Sequence, residues 1–246
     1  MLYLVGLGIW DEKDMSIKGI EICKNADKIY AELYTATWGG SIKNLEKIIG
    51  KKITLLQRKD IEEDSENFIK EAKKCDIVLL VPGDPLVATT HTHLIIEAKK
   101  RKTPFDIVHS SSIYTAIAKT GLQIYKFGRT VTIPTPQKGY EPTSFYDLIL
   151  ENKKSGLHTL VLLDRDMNTK RGLEILMDVE KRRKKKVFLP NTKMVLCSKL
   201  GSKDEKIIYG CVKKLLEIDL KPPAVVIIPG NLHFIEEEFL SSFEIR

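Results

Sequence analysis

The chain has 246 residues, 43% of them hydrophobic and 30% charged, enough for one large core or two modest ones in an ordinary globular protein. No apolar run reaches the roughly 20 residues of a membrane span. Met1 leads straight into Leu2-Tyr3-Leu4-Val5 with no basic leader and apolar h-region, so the cytoplasm is the expected compartment. The net charge is +7, concentrated in Lys181-Arg182-Arg183-Lys184-Lys185-Lys186 and Lys99-Lys100-Arg101-Lys102.

The first half alternates strand and helix. Leu2 to Val5 is an apolar strand ending at Gly6-Leu7-Gly8. Ser16 is placed to cap a helix that runs to Ala26. Lys28 to Leu33 reads as a strand, Ile42 to Ile49 as a helix closed by Gly50, and Ile53 to Leu56 as a third strand. Ile61 to Lys74 reads as one polar amphipathic helix. A buried strand, Ile77 to Val81, then enters the turn Pro82-Gly83-Asp84-Pro85. Two prolines fix φ around a glycine that is free to take φ > 0, so the turn is stiff. It holds Asp84 at the carboxyl end of a strand, where open α/β sheets bind ligands. A helix from Thr89 to Arg101 and a strand from Phe105 to His109 follow.

In the second half, Ser111 to Thr120 reads as a helix stopped by Gly121. Arg129 to Ile133 is a strand, Pro134 to Pro142 a loop, Ser144 to Lys154 a helix and Thr159 to Leu163 a strand. Gly172 to Arg183 reads as a helix, Met194 to Lys199 as a strand, Asp204 to Ile218 as a helix and Ala224 to Ile228 as a last central strand. Leu232 to Phe243 reads as a closing helix. The pattern predicts two α/β lobes, residues 1–112 and 113–246, each with a mostly parallel or mixed sheet flanked by helices. No flexible linker separates them, so a ligand cleft is expected between the lobes.

The basic runs follow helices, where the dipole favours cations. A footprint for an anionic partner is the alternative, but no aromatic residues interleave with them, and direct nucleic-acid binding is not expected. Cys23, Cys75, Cys197 and Cys211 have no CxxC spacing, which favours reduced, packed thiols over disulfides or a metal site. His91 and His93 are two apart on a predicted helix and point to different faces, so no metal is expected there. Gly6-Leu7-Gly8 suggests a dinucleotide loop with Glu32 as its ribose acid, but Asp11 stands where the third glycine is needed. His109 precedes Ser110-Ser111-Ser112 without the GxSxG elbow of a hydrolase. Those serines suit a helix N-cap whose free N–H groups can meet a carboxylate or hydroxyl.

Val81-Pro82-Gly83-Asp84-Pro85-Leu86-Val87-Ala88-Thr89-Thr90-His91 resembles the signature of the diphthine synthase family. That family belongs to the tetrapyrrole-methylase-like class of S-adenosylmethionine methyltransferases. Similar segments span the chain: Leu2 to Gly8 with Asp11-Glu12-Lys13-Asp14, Tyr30 to Thr35, Ser112-Ile113-Tyr114, Thr120 to Gly128, Pro142 to Asp147, Gly156 to Leu160, and Pro229-Gly230-Asn231-Leu232-His233. Tetrapyrrole-methylating relatives carry Gly-Pro-Gly after the first strand, where this chain has Gly8-Ile9-Trp10-Asp11. The resemblance implies a cofactor site for S-adenosylmethionine, leaving as S-adenosylhomocysteine, at Ile9, Asp84, Val87, Ser112, Ile113, Leu163, Leu200 and His233. It implies N-methylation of a 3-amino-3-carboxypropyl histidine on translation elongation factor 2, giving diphthine in diphthamide biosynthesis, by a homodimer. Methylation of a small tetrapyrrole is the second reading, and a basic nucleic-acid-binding protein the third. No catalytic base is named; Asp164 and Asp166 lie just past a strand end as candidates.

Overall fold

A computed structural model describes residues 1–245. The chain divides into two compact units, Met1–Ala116 and Ile117–Arg246.

The first unit holds a five-stranded sheet, all parallel, in the order β3-β2-β4-β1-β5. Its strands are β1 (Leu2–Gly6), β2 (Lys28–Glu32), β3 (Ile53–Leu56), β4 (Ile77–Val81) and β5 (Phe105–Val108). Parallel strands need crossovers, here α1 (Ile17–Asn25), α2 (Ile42–Ile49), α3 (Arg58–Glu62), α4 (Ser65–Ala72) and α5 (Thr92–Lys100). Both faces are covered, so β4 is buried at all five positions. Val5, Ala31, Val78 and Leu80 pack on one face with Cys23, Leu45 and Ile49. Leu4, Ile77, Leu79 and Val81 pack on the other with Phe68, Ile69 and Leu94. The predicted caps are present: the Ser16 hydroxyl accepts from Gly19 N–H at 3.0 Å, and Gly50 closes α2 at φ 80°.

The single helix expected over 61–74 is two helices. Asp64 stands at the N-cap position of the second without a side-chain cap bond, its carboxylate accepting instead from Asn67 Nδ2 at 2.8 Å, and this polar Asp-Ser-Glu-Asn stretch competes with continuous helix. The helix expected from Thr89 begins only at Thr92. Ala88 sits at φ 54° and the Thr89 hydroxyl donates to the Pro85 carbonyl, holding 85–91 as irregular turn. The helix expected over 111–120 is reduced to α6 (Ile113–Ala116) and a 3-10 turn at Ile117–Thr120. The Thr115 hydroxyl bonds both the N–H and the carbonyl of Ser112, satisfying the backbone locally.

The second unit holds a mixed sheet in the order β6-β7-β10-β8-β9. Its strands are β6 (Val131–Ile133), β7 (Thr159–Leu163), β8 (Lys193–Ser198), β9 (Lys206–Cys211) and β10 (Ala224–Ile228). β6 and β7 are parallel; β10 runs antiparallel to β7 and β8, and β9 antiparallel to β8. Helices α7 (Ser144–Lys154), α8 (Thr169–Arg183), α9 (Val212–Leu215) and α10 (Phe234–Ser241) complete it. Val161, Leu196 and Val226 join Tyr146, Leu173, Leu176 and Phe188 in its core.

The long helix expected over 204–218 is wrong. Lys206–Cys211 is a strand that returns along β8, and only Val212–Leu215 is helical. Ile207, Ile208 and Tyr209 favour a strand, and Gly210 would cost a helix interior about 1 kcal/mol relative to alanine.

Among the described residues no helix is long and apolar enough to cross a membrane. All four cysteines are free, and burial pushes the Cys23 and Cys197 thiols up to about 12.

Candidate functional site

Because every strand of the first sheet is parallel, the loops leaving β1, β4 and β5 emerge at one edge. There they are joined by hydrogen bonds. Leu7 N–H donates to the Val81 carbonyl at 2.8 Å. Gly8 and Gly83 exchange both backbone bonds, at 3.1 and 2.9 Å, so the loop after β1 and the Pro-Gly-Asp-Pro turn are clasped together. Both glycines are needed at positive φ, 82° and 68°. A Cβ on Gly8 would lie 2.3 Å from Asp14 Cβ, whereas one on Gly83 would meet nothing nearer than 4.0 Å. A Cβ on Gly83 would sit in ordinary contact with Ser111 and Ser112, so its glycine is required by φ and not by crowding.

Asp84 fixes the third loop. Its carboxylate accepts from Leu86 N–H at 3.0 Å, Ser110 N–H at 3.2 Å and His109 Nδ1 at 2.7 Å. Asp84 is 5% exposed and the His109 side chain 69% exposed. Ile9 N–H donates to the Ser111 hydroxyl at 3.1 Å, and the Ser110 hydroxyl donates to the Asp14 carbonyl at 3.1 Å. Asp14 braces the β1 loop by accepting from Trp10 and Asp11 N–H groups. Val87 N–H bonds the Asp84 carbonyl, and Ser112 is buried at the start of α6. Thus Ile9, Asp84, Val87 and Ser112 lie on the loops gathered at this edge, and Ile113 opens α6 directly after the last of them.

The second unit separates its candidates. Leu163 ends β7 and Leu200 follows β8; the register of β10 puts both at the edge where β10 begins. His233 follows the opposite end of β10. Gly230 N–H donates to His158 Nδ1 and Asn231 N–H to the Gly156 carbonyl, so this segment is tied to the start of β7. His233 caps α10, with its N–H on Glu236 Oε2 at 2.8 Å. Glu236 is buried and also accepts from Gln123 N–H, Lys126 Nζ and His158 Nε2. Burial pushes its carboxyl up, but these bonds outweigh it and hold the group down at about 2. Asp164 accepts from Thr135 N–H at 3.1 Å, bracing the loop after β6, and hydrogen bonding by the Thr135 side chain first, then by its N–H, holds the carboxyl below the usual range. Asp166 is 90% exposed.

His91 precedes α5, fully buried, and burial lowers its ring to about 4, so it is neutral. Glu32, the expected ribose acid of a dinucleotide site, is also buried, accepting from the N–H groups of Tyr34 and Thr35. A cavity of about 700 Å³ lined by Lys28, Tyr30, Phe68 and Glu71 contains none of the predicted site residues.

Sequence reasoning did not foresee the Asp84–His109 pair or the brace at Asp14. Asp11 and Asp14 form a capping box around Glu12–Asp14, and their D-x-x-D spacing carried that signal. The His109 contact joins residues 25 apart and had no local signature.

Residues 1–216 match the family of Tetrapyrrole (Corrin/Porphyrin) Methylases. A diphthine synthase of Methanococcus aeolicus is 46% identical over 98% of this chain and 96% of its own length. That of Methanocaldococcus jannaschii is 45% identical, over 98% and 97%. The chain belongs to the diphthine synthase family. A crystal structure of a diphthine synthase superposes with a TM-score of 0.90 at 35% identity, covering 99% of this chain and 95% of that one. Membership makes the protein a methyltransferase of diphthamide biosynthesis.

Proposed function

We propose that the protein uses S-adenosylmethionine to methylate the amino group of a 3-amino-3-carboxypropyl histidine on translation elongation factor 2, producing diphthine. The observation that carries this reading is the clasped platform at the carboxyl ends of β1, β4 and β5, in a chain aligned along nearly its whole length with diphthine synthases. When bound, the cofactor supplies an electrophilic methyl group. The residues suit it: Ile9, Val87 and Ile113 are half-buried apolar surface beside the Gly83 turn. Asp84 has three donors on a carboxylate with about four acceptor sites, which leaves room for one more bond.

The protein's part is then to hold the methyl group and the amine in line, and proximity of this kind contributes up to about 7–11 kcal/mol. Leu163 and Leu200 are proposed as further cofactor contacts. His233, at the other edge of the second sheet, enters on the family resemblance alone. We further propose a cytoplasmic homodimer. The diphthine synthase relatives favour this substrate over a small tetrapyrrole. The long basic run shows the pairing of a solvated helix end: Arg182 meets Glu141, Arg183 meets Asp147, and Lys184 caps α8.

Incubation with elongation factor 2 bearing the aminocarboxypropyl histidine, read by intact mass, tests the proposal. Additions of 14 Da multiples, each consuming one methyl donor, are expected. An unchanged mass in the presence of S-adenosylmethionine would refute it.

A further inference from the structure

We propose that His109 is the proton acceptor of the methyl-transfer reaction, with Asp84 as its positioning residue. The inference rests on the function proposed above.

An amine attacks a methyl group only through a free lone pair, and an alkyl amine near neutral pH is mostly protonated. The ammonium must therefore lose a proton, and a base held at the site makes that loss part of the bound complex. The carboxylates around the platform are committed to backbone. Asp84 holds Leu86 and Ser110, Asp14 holds Trp10 and Asp11, and Asp11 holds Lys13. The serines are committed as well: Ser110 donates to Asp14 and Ser111 accepts from Ile9.

His109 differs from all of these. Its Nδ1 meets Asp84 Oδ2 at 2.7 Å, and the side chain is otherwise 69% exposed. A buried carboxylate against Nδ1 selects the Nδ1–H tautomer and leaves the Nε2 lone pair outward, where no protein partner is found among the described residues. That is an oriented imidazole base at the edge where the candidate cofactor residues gather.

The step balances simply. The substrate ammonium gives one N–H proton to His109 Nε2. The freed nitrogen lone pair forms the C–N bond as the methyl C–S bond breaks, and the electron pair of that bond stays on sulfur. The imidazolium then releases its proton to solvent on its exposed side. A second methylation repeats the cycle, since the first product is again a protonated amine.

Three measurements on the intact chain test this. Nitrogen-15 NMR of the ligand-free protein should show His109 as the Nδ1–H tautomer, and Asp84→Asn, whose amide can donate to Nδ1, should move it toward Nε2–H. His109→Gln should bind S-adenosylhomocysteine within about twofold of the parent, while turnover on charged elongation factor 2 falls about a hundredfold, the lower end of what a general base supplies. His109→Ala should regain turnover when free imidazole is added, because the position is open to solvent. Parent-like turnover in His109→Gln, or an Nε2–H tautomer in the parent, would overturn the inference and leave the proposed function standing. Absence of methyl transfer by the parent itself would sink both.

Discussion

The two sheets organise chemistry differently. In the first, five parallel strands send every exit loop to the same edge, and three of those loops are hydrogen-bonded into one platform. In the second, β6, β7 and β8 run one way and β9 and β10 the other, so Leu163 and Leu200 share an edge while His233 lies at the opposite one. The second unit spreads its bracing carboxylates over separate loops. Glu236 gathers Gln123, Lys126, His158 and His233. Glu180 accepts from Tyr146 and from the N–H groups of Lys186, Val187 and Phe188, turning the chain after α8. The comparison teaches that a parallel sheet gathers its exit loops at one edge by topology, where Asp84 and Asp14 then need only fix them. A mixed sheet must hold its scattered loops with charge.

The largest effect should come from breaking that charge. Glu236→Gln removes the buried anion that pairs with the half-buried Lys126 ammonium and should cost about 3 kcal/mol in denaturant unfolding. The same group predicts pH dependence. Its folded pKa, about 2, lies below the ordinary 4.5, so its stabilisation is present above about pH 4.5 and is lost as pH falls toward 2. The shift corresponds to about 3 kcal/mol, and Glu236→Gln should flatten the acid limb of stability by that amount.

Next comes the clasp. Gly8→Ala forces a Cβ onto Asp14 at φ 82° and should cost about 1–3 kcal/mol, with loss of S-adenosylhomocysteine affinity. Gly50→Ala is the control that sharpens this. It has φ 80° but open space, so calorimetry should find about 1 kcal/mol of lost stability and unchanged affinity.

How much of this was legible in the sequence follows the same division. Caps and turns are local chemistry, and Ser16, Gly50 and the Pro82–Pro85 turn are where the residues placed them. Local reading failed where tertiary pairing decides. Ile207 to Leu215 has apolar residues compatible with a helix, but β8 offers an open edge and β-branched residues pair with it. Ser111 to Thr120 has helix-forming residues, yet the Thr115 hydroxyl and Ser112 backbone satisfy each other after one turn. Within the site, Asp84 was legible from its turn. Its partner His109 was not, because nothing along the chain links residues in the loops after two different strands.

Two smaller effects remain. Asp84→Asn should weaken cofactor affinity about ten- to a hundredfold, from loss of about 1.5–3 kcal/mol of charge-assisted bonding, while the protein stays folded. Calorimetry showing unchanged affinity would make Asp84 a turn residue only. Replacing Arg182, Arg183 and Lys185 with Gln should be weakest of all. It removes pairs to Glu141 and Asp147 at exposed positions and should change stability by a few tenths of a kcal/mol. The KM for the protein substrate at low ionic strength should be unchanged; a marked rise would assign this run to docking.

The platform's role is tested most directly by titrating S-adenosylhomocysteine into the parent chain and Gly8→Ala by calorimetry. The account predicts saturable binding to the parent, with a raised melting temperature, and binding that is weakened or lost in the variant. No heat and no thermal shift with millimolar ligand, or equal affinity in the two proteins, would contradict it.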